Sequence, residues 1–128
     1  MAKKIKYQCE FVVNSSPKIL YNFISGPSGL AEWFCNDVNI RDSIYEFVWD
    51  GEGSQYAKIL HKKEGQGVRF KWEDDDDDEY YFEFAVIKDE LTGDVSLMIT
   101  DFSLPEDAEN DKLIWESQVS DLGNSIGA

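Results

Sequence analysis

Histidine is nearly missing from this 128-residue chain, His61 being the only one. A lone imidazole can supply neither a Ser-His-Asp triad nor a multi-histidine metal site. His61 lies beside Lys62 and Lys63 at a strand end, away from any nucleophile, and reads as a surface residue. Cysteine is scarce too. Cys9 and Cys35 follow no metal-ligand spacing, and a chain of this length needs no disulfide, so both read as buried thiols of a reducing cytoplasm. Basic residues are outnumbered, with 12 Lys and Arg against 26 Asp and Glu and a net charge of −14. That balance argues against nucleic acid and anionic membrane, which are bound by neutralising phosphate with cations. The one basic cluster, Lys3, Lys4 and Lys6, reads as a solvated terminus.

Long hydrophobic runs are absent as well. Nothing approaches the ~20 apolar residues that span a bilayer, and the start MAKKIKYQCEF lacks the apolar block of a signal peptide. The expectation is a cytoplasmic protein without membrane insertion. Phosphate-cradling loops are missing, because Gly51-Glu52-Gly53 and Gly65-Gln66-Gly67 fall between strands and open no helix. No cofactor is expected. The run Glu73 to Glu79, EDDDDDE, lacks the turn glycine and distal glutamate of a calcium loop and reads as a hydrated hairpin loop, with no metal. Asp89, Glu90, Asp94 and Asp101 read as turn formers at strand ends.

Aromatic matter, by contrast, is abundant: hydrophobic residues make up 42% of the chain, and 8 Phe, 6 Tyr and 4 Trp are present. Such a chain folds, and residues 1–128 are expected to form one domain. From Ile5 to Val13 apolar residues alternate with polar ones, as in a half-buried strand. In SSPKILYNFIS, Ser16 is placed to cap a helix, Pro17 suits its first turn, and Ile19, Leu20, Phe23 and Ile24 recur at helical spacing. A second short helix is expected in PSGLAEWF. Six strands follow, Val38 to Ile40, Ser43 to Trp49, Gln55 to His61, Val68 to Trp72, Tyr80 to Ile87 and Val95 to Phe102, separated by turn chemistry that makes an antiparallel meander. Alternation lines one sheet face with Tyr45, Phe47, Trp49, Val68, Phe70, Trp72, Tyr80, Phe82, Phe84, Val86, Val95, Leu97 and Ile99, and puts Glu46, Arg69, Lys71 and Glu83 on the other. A last helix, from about Pro105 to Ile126, carries Trp115, Val119, Leu122 and Ile126 on one side, with Gly123-Asn124 weakening its final turn so that it can stop at Leu122. It has only the aromatic face to bury against.

This order of elements resembles the helix-grip fold of the START-like superfamily, also called SRPBCC, over essentially the whole chain. The segment SPKILYNFISGPSGLAEWF is similar to one in bacterial START-like proteins and in Aha-type activators of a heat-shock chaperone ATPase. The pieces FVWDGEG, VRFKWE, YYFEFAVIKDELTGDVSLMITDF and LIWESQVSDL look most like small stand-alone bacterial members. The resemblance implies an α+β fold, a curved antiparallel sheet of about seven strands with two short helices after strand one and a long C-terminal helix across its concave face. It also implies a space between sheet and helix that takes apolar molecules such as lipids, sterols or polyketides in some members.

The lining expected for such a space is Phe47, Trp49, Phe70, Trp72, Phe82, Phe84, Leu97 and Ile99 from the sheet and Trp115, Val119 and Leu122 from the helix. Trp33 and Phe34 are expected near its mouth, as a gate or as a staple for the short helix. Whether these rings line a ligand cavity or simply fill a core is open at this stage. The resulting expectation is a module that binds a small apolar ligand, with no residue singled out for catalysis. The alternative is a protein-interaction or chaperone-cofactor module like the Aha-type activators, with no ligand in the core. Either is compatible with a monomer or a weak homodimer, and no protein partner is named.

Overall fold

The structure, a computed structural model, describes residues 3–75, 77 and 79–126. Strand β1 (Ile5–Val12) leads into helices α1 (Pro17–Ser25) and α2 (Pro27–Trp33), then into strands β2 (Asp37–Arg41), β3 (Ile44–Trp49), β4 (Gly53–Lys63), β5 (Gly67–Trp72), β6 (Phe82–Lys88) and β7 (Val95–Ser103), and ends in helix α3 (Ala108–Ile126). The strands form one antiparallel curved sheet in the order β1-β7-β6-β5-β4-β3-β2. Consecutive hairpins generate that order from β2 to β7, and β1 closes on β7 after the two helices have crossed. This is the helix-grip architecture, of α+β class.

The short helices begin as their residues dictate. Ser16 accepts a hydrogen bond from the Ile19 amide through its side chain, and Pro17 occupies the first turn of α1. Gly26 and Pro27 then break the chain into α2. The two helices approach so closely at Gly29 that an added Cβ would strike the Asn22 carbonyl and the Phe23 backbone. Between β2 and β3 the chain reverses through Asp42, which takes up φ +57°, a left-handed conformation that aspartate tolerates better than most residues.

Register puts the large side chains on one face. Phe70 stands opposite Phe82, Val68 opposite Phe84, Phe84 opposite Ile99 and Val86 opposite Leu97. Phe47, Phe70, Phe82, Phe84, Leu97, Ile99 and Leu122 are fully or almost fully buried. On the far side Arg69 and Glu83, a cross-strand pair, meet at 3.0 Å.

Several expectations need correction. Strand β6 starts at Phe82, not Tyr80, because Tyr80 and Tyr81 turn away to pack on Phe102 with ring centroids 5.3 and 5.1 Å distant. Helix α3 starts at Ala108 and runs through Gly123-Asn124 to Ile126, since Leu122 and Ile126 pack against the core and outweigh the weak helix propensity of glycine. Cys9 is half-buried, and only Cys35 is buried. The acidic run is an exposed loop, as expected, with Glu73, Asp74, Asp77 and Glu79 exposed, but part of it is tied down. Lys71 Nζ donates to the Asp75 and Asp77 carbonyls at 2.9 Å, and Lys4 pairs with Asp75 at 3.2 Å, so the basic start of the chain is engaged as well. Asp76 and Asp78 of that run lie outside the described residues. Among the described residues no helix is long and apolar enough to cross a membrane.

Candidate functional site between the sheet and the C-terminal helix

Helix α2 is short, and its end is what organises the interior. Phe34 caps it, donating its amide to the Leu30 carbonyl, and the side chain drops toward the sheet. Its ring is 4% exposed and lies within 5.0–6.5 Å of seven others: Trp33, Phe47, Trp49, Trp72, Phe82, Phe84 and Trp115. Against Trp115 the planes are nearly parallel, at 6°, and against Phe47 nearly perpendicular, at 85°. Offset-parallel and edge-to-face contacts of this kind satisfy the ring quadrupoles and add about 0.5–1.5 kcal/mol per pair beyond area burial. The sequence placed Phe34 near the mouth; the structure puts it at the centre.

The Phe34 backbone is locked from two sides. Its carbonyl accepts from Trp49 Nε1 of β3 at 2.9 Å and from Gln118 Nε2 of α3 at 3.3 Å. Trp33 is fixed separately, its Nε1 donating to the Phe23 carbonyl at 2.7 Å. Buried indole N–H groups need such acceptors, and here the acceptors tie α2 to α1, β3 and α3. Beside Phe34, between the end of α2, the end of β3 and α3, a shallow open groove of about 320 Å³, mainly polar at its surface, is lined by Trp33, Phe34, Trp49, Gln118, Glu32 and Asp121 among others.

Of the residues expected to line a ligand space, Phe34, Phe47, Trp49, Trp72, Phe82, Phe84 and Trp115 come together around one point, and Trp33 adjoins them. Phe70 extends the cluster along the sheet, stacked on Phe82 with centroids 5.1 Å apart. Leu97, Ile99, Val119 and Leu122 are buried members of the same core. Trp49 and Trp72 are half-buried, so the cluster is tightest at Phe34 and opens toward the ends of β3 and β5.

A polar knot at the other end of α3 had no counterpart in the sequence reading of the site. Asp101 on β7 stands opposite Tyr7 on β1, on the face that carries Leu97 and Ile99. Its Oδ2 accepts from the Tyr7 hydroxyl at 3.3 Å and from Trp115 Nε1 at 3.2 Å, and its Oδ1 from the Phe102 amide at 2.8 Å. The same indole N–H reaches Tyr7 Oη at 3.2 Å. Ser103 donates to Asp111 of α3, and the Lys112 ammonium lies 5.7 Å from the centre of the Tyr7 ring. Burial pushes the Asp101 carboxyl up to about 6, a rise to which the nearby Asp111 charge adds and which the hydrogen bonds from Phe102, Trp115 and Tyr7 oppose. Burial likewise raises the Tyr7 phenol and takes the Cys35 thiol up to about 12, which leaves Cys35 a poor nucleophile near neutral pH. Asp101 was read as a turn former. The alternation Val95, Leu97, Ile99 carried two residues further was the signal that assigns it to the inner face.

The fold agrees with what the chain is similar to. The family model for the START-like superfamily domain matches residues 1–128. A Bacteroides fragilis protein solved by solution NMR is 38% identical, with 98% of this chain and 93% of that one covered and a TM-score of 0.69. The chain belongs to the START-like superfamily. Its fold recurs in the Aha1 dimer from Colwellia psychrerythraea, at TM-score 0.75 and 15% identity over 94% of this chain and 95% of that one. It recurs again in a Mesorhizobium loti protein at TM-score 0.77 and 12% identity, covering 96% and 97%. The curated proteins hold no match to the chain.

Proposed function

We propose that the protein is a binding module for a small apolar molecule, which enters by the groove between α2 and α3 and takes the place that the Phe34 ring now fills. The observation that carries the reading is the position of Phe34: seven rings surround it, and an open groove lies beside it. In this reading the Phe34 ring, carried by the residue that caps α2, moves aside by χ1 rotation while its carbonyl stays held by Trp49 and Gln118. The walls so exposed are Phe47, Trp72, Phe82, Phe84 and Trp115, which would offer an incoming hydrocarbon or ring system an apolar surface at about 25 cal/mol per Å² buried. Phe70, Leu97, Ile99, Val119 and Leu122 support those walls from behind. No step of bond chemistry is part of the reading.

Native mass spectrometry and tryptophan fluorescence with neutral lipids, sterols and aromatic polyketides test it directly. The expected result is a one-to-one adduct together with a change in the emission of Trp33, Trp49 or Trp115. Absence of both across the panel would refute the proposal.

A further inference from the structure

The space that the Phe34 ring fills has a shape as well as a polarity. Helix α3 presents it a flat face: the Trp115 ring lies within 6° of the Phe34 plane, with centroids 5.9 Å apart. The sheet presents two more. Trp72 and Phe82 are tilted from the Phe34 plane by only 20° and 27°, at 6.5 and 5.9 Å, and they stack on each other at 26° and 4.7 Å. Near-parallel planes with centroids this far apart are offset stacks. Two further rings, Phe47 and Phe84, stand across that plane at 85° and 77°, with centroids at 5.0 and 5.6 Å. Phe47, Phe82 and Phe84 are at most 1% exposed, and close packing leaves them little freedom to reorient for a new occupant.

We infer that the buried part of the guest is a flat aromatic ring, so that the site takes aryl-bearing molecules in preference to acyl chains and saturated ring systems; the inference rests on the apolar-site reading above. A flat ring in the Phe34 position inherits the face and edge contacts that the phenylalanine ring now makes. A saturated ring of equal carbon number is thicker, because its hydrogens project above and below the mean plane, and it has no quadrupole to match those of its neighbours. A linear chain fills the same space only by giving up its rotational freedom. Transfer from water favours the opposite order, since a saturated ring or chain carries more apolar surface than a flat ring of the same carbon count. Ring geometry and apolar area therefore rank such guests differently.

Three alcohols, each of seven carbons, separate the two rankings: benzyl alcohol, cyclohexylmethanol and 1-heptanol, titrated into the full chain by calorimetry. Benzyl alcohol is expected to bind about tenfold tighter than either saturated alcohol, the equivalent of one or two added ring contacts. Trp72→Leu, which keeps an apolar wall but removes one of the flat faces, should cut that preference by about threefold. A ranking that follows apolar area, or equal binding of all three, overturns the flat ring and leaves the apolar site standing. A preference that Trp72→Leu leaves intact has its origin elsewhere and also overturns the inference. Should that variant not fold, the ranking in the natural chain decides alone. If none of the three binds, both readings fall.

Discussion

The two ends of the α3 interface hold the helix by opposite means. Near its C-terminal half, Trp115, Val119 and Leu122 meet a cluster of rings centred on Phe34, where apolar packing dominates. Near its N-terminal half, the same Trp115 turns its N–H to Tyr7 and Asp101, and Asp111 takes the Ser103 hydroxyl, so charge and hydrogen bonds decide. Trp115 thus belongs to both an apolar half and a hydrogen-bonded, titrating half. The difference teaches that one end is built to respond to volume and the other to pH.

Removing volume gives the largest expected effect. Phe34→Ala deletes the ring that seven others touch and should destabilise the fold by about 3–5 kcal/mol in denaturant unfolding, with a loss that barely changes between pH 4 and pH 7. A loss that depends strongly on pH would erase the contrast between the two ends. Next comes Trp115→Phe, which keeps most of the ring but deprives Tyr7 Oη and Asp101 Oδ2 of their shared donor. About 2 kcal/mol is expected, measured by the same method.

Asp101 sharpens the comparison by its sign. Its native value of about 6 lies above the ordinary aspartate value, so the native state holds this proton more tightly than the unfolded chain does. The stability it contributes is complete below about pH 4 and is lost as pH rises through about 6. Relative to Asp101→Asn, the natural protein should therefore lose stability between pH 4 and pH 7. With the partial exposure of Asp101 discounted, the loss is about 2 kcal/mol, seen in parallel thermal unfolding at several pH values. An unchanged difference across that range would remove the titrating half of the account. The smallest effect is expected at Lys4→Ala. Its pair with Asp75 is partly exposed and should be worth under about 0.5 kcal/mol, declining with salt.

Much of this was readable in the residues. Period-two alternation gave the seven strands and their inner faces, because each of Phe47, Phe70, Phe82, Phe84 and Leu97 faces the core in register. Steps of four and three from Trp115 gave the buried stripe of α3. What escaped was whatever depends on the direction in which an element ends. The place of Phe34 follows from the exit angle of α2, set by tertiary packing against Asn22 and Phe23 at Gly29 and by Trp49 and Gln118 at the Phe34 carbonyl, and no local pattern encodes it. Asp101 escaped for a different reason. Aspartate near a strand end has an ordinary role in turns, and that prior masked an alternation that was plainly present. Gly123 misled through propensity, since burial of Leu122 and packing of Ile126 carry α3 past it.

The central claim is that the space occupied by the Phe34 ring is open to an apolar guest from the α2–α3 groove. An NMR titration of the full chain with a neutral aromatic alcohol tests it most directly. The account predicts saturable one-to-one shifts concentrated on the Trp33 and Trp49 indoles, the Phe34 amide and the Gln118 side chain. Shifts that never saturate, or that gather elsewhere while these four signals stay still, would contradict it.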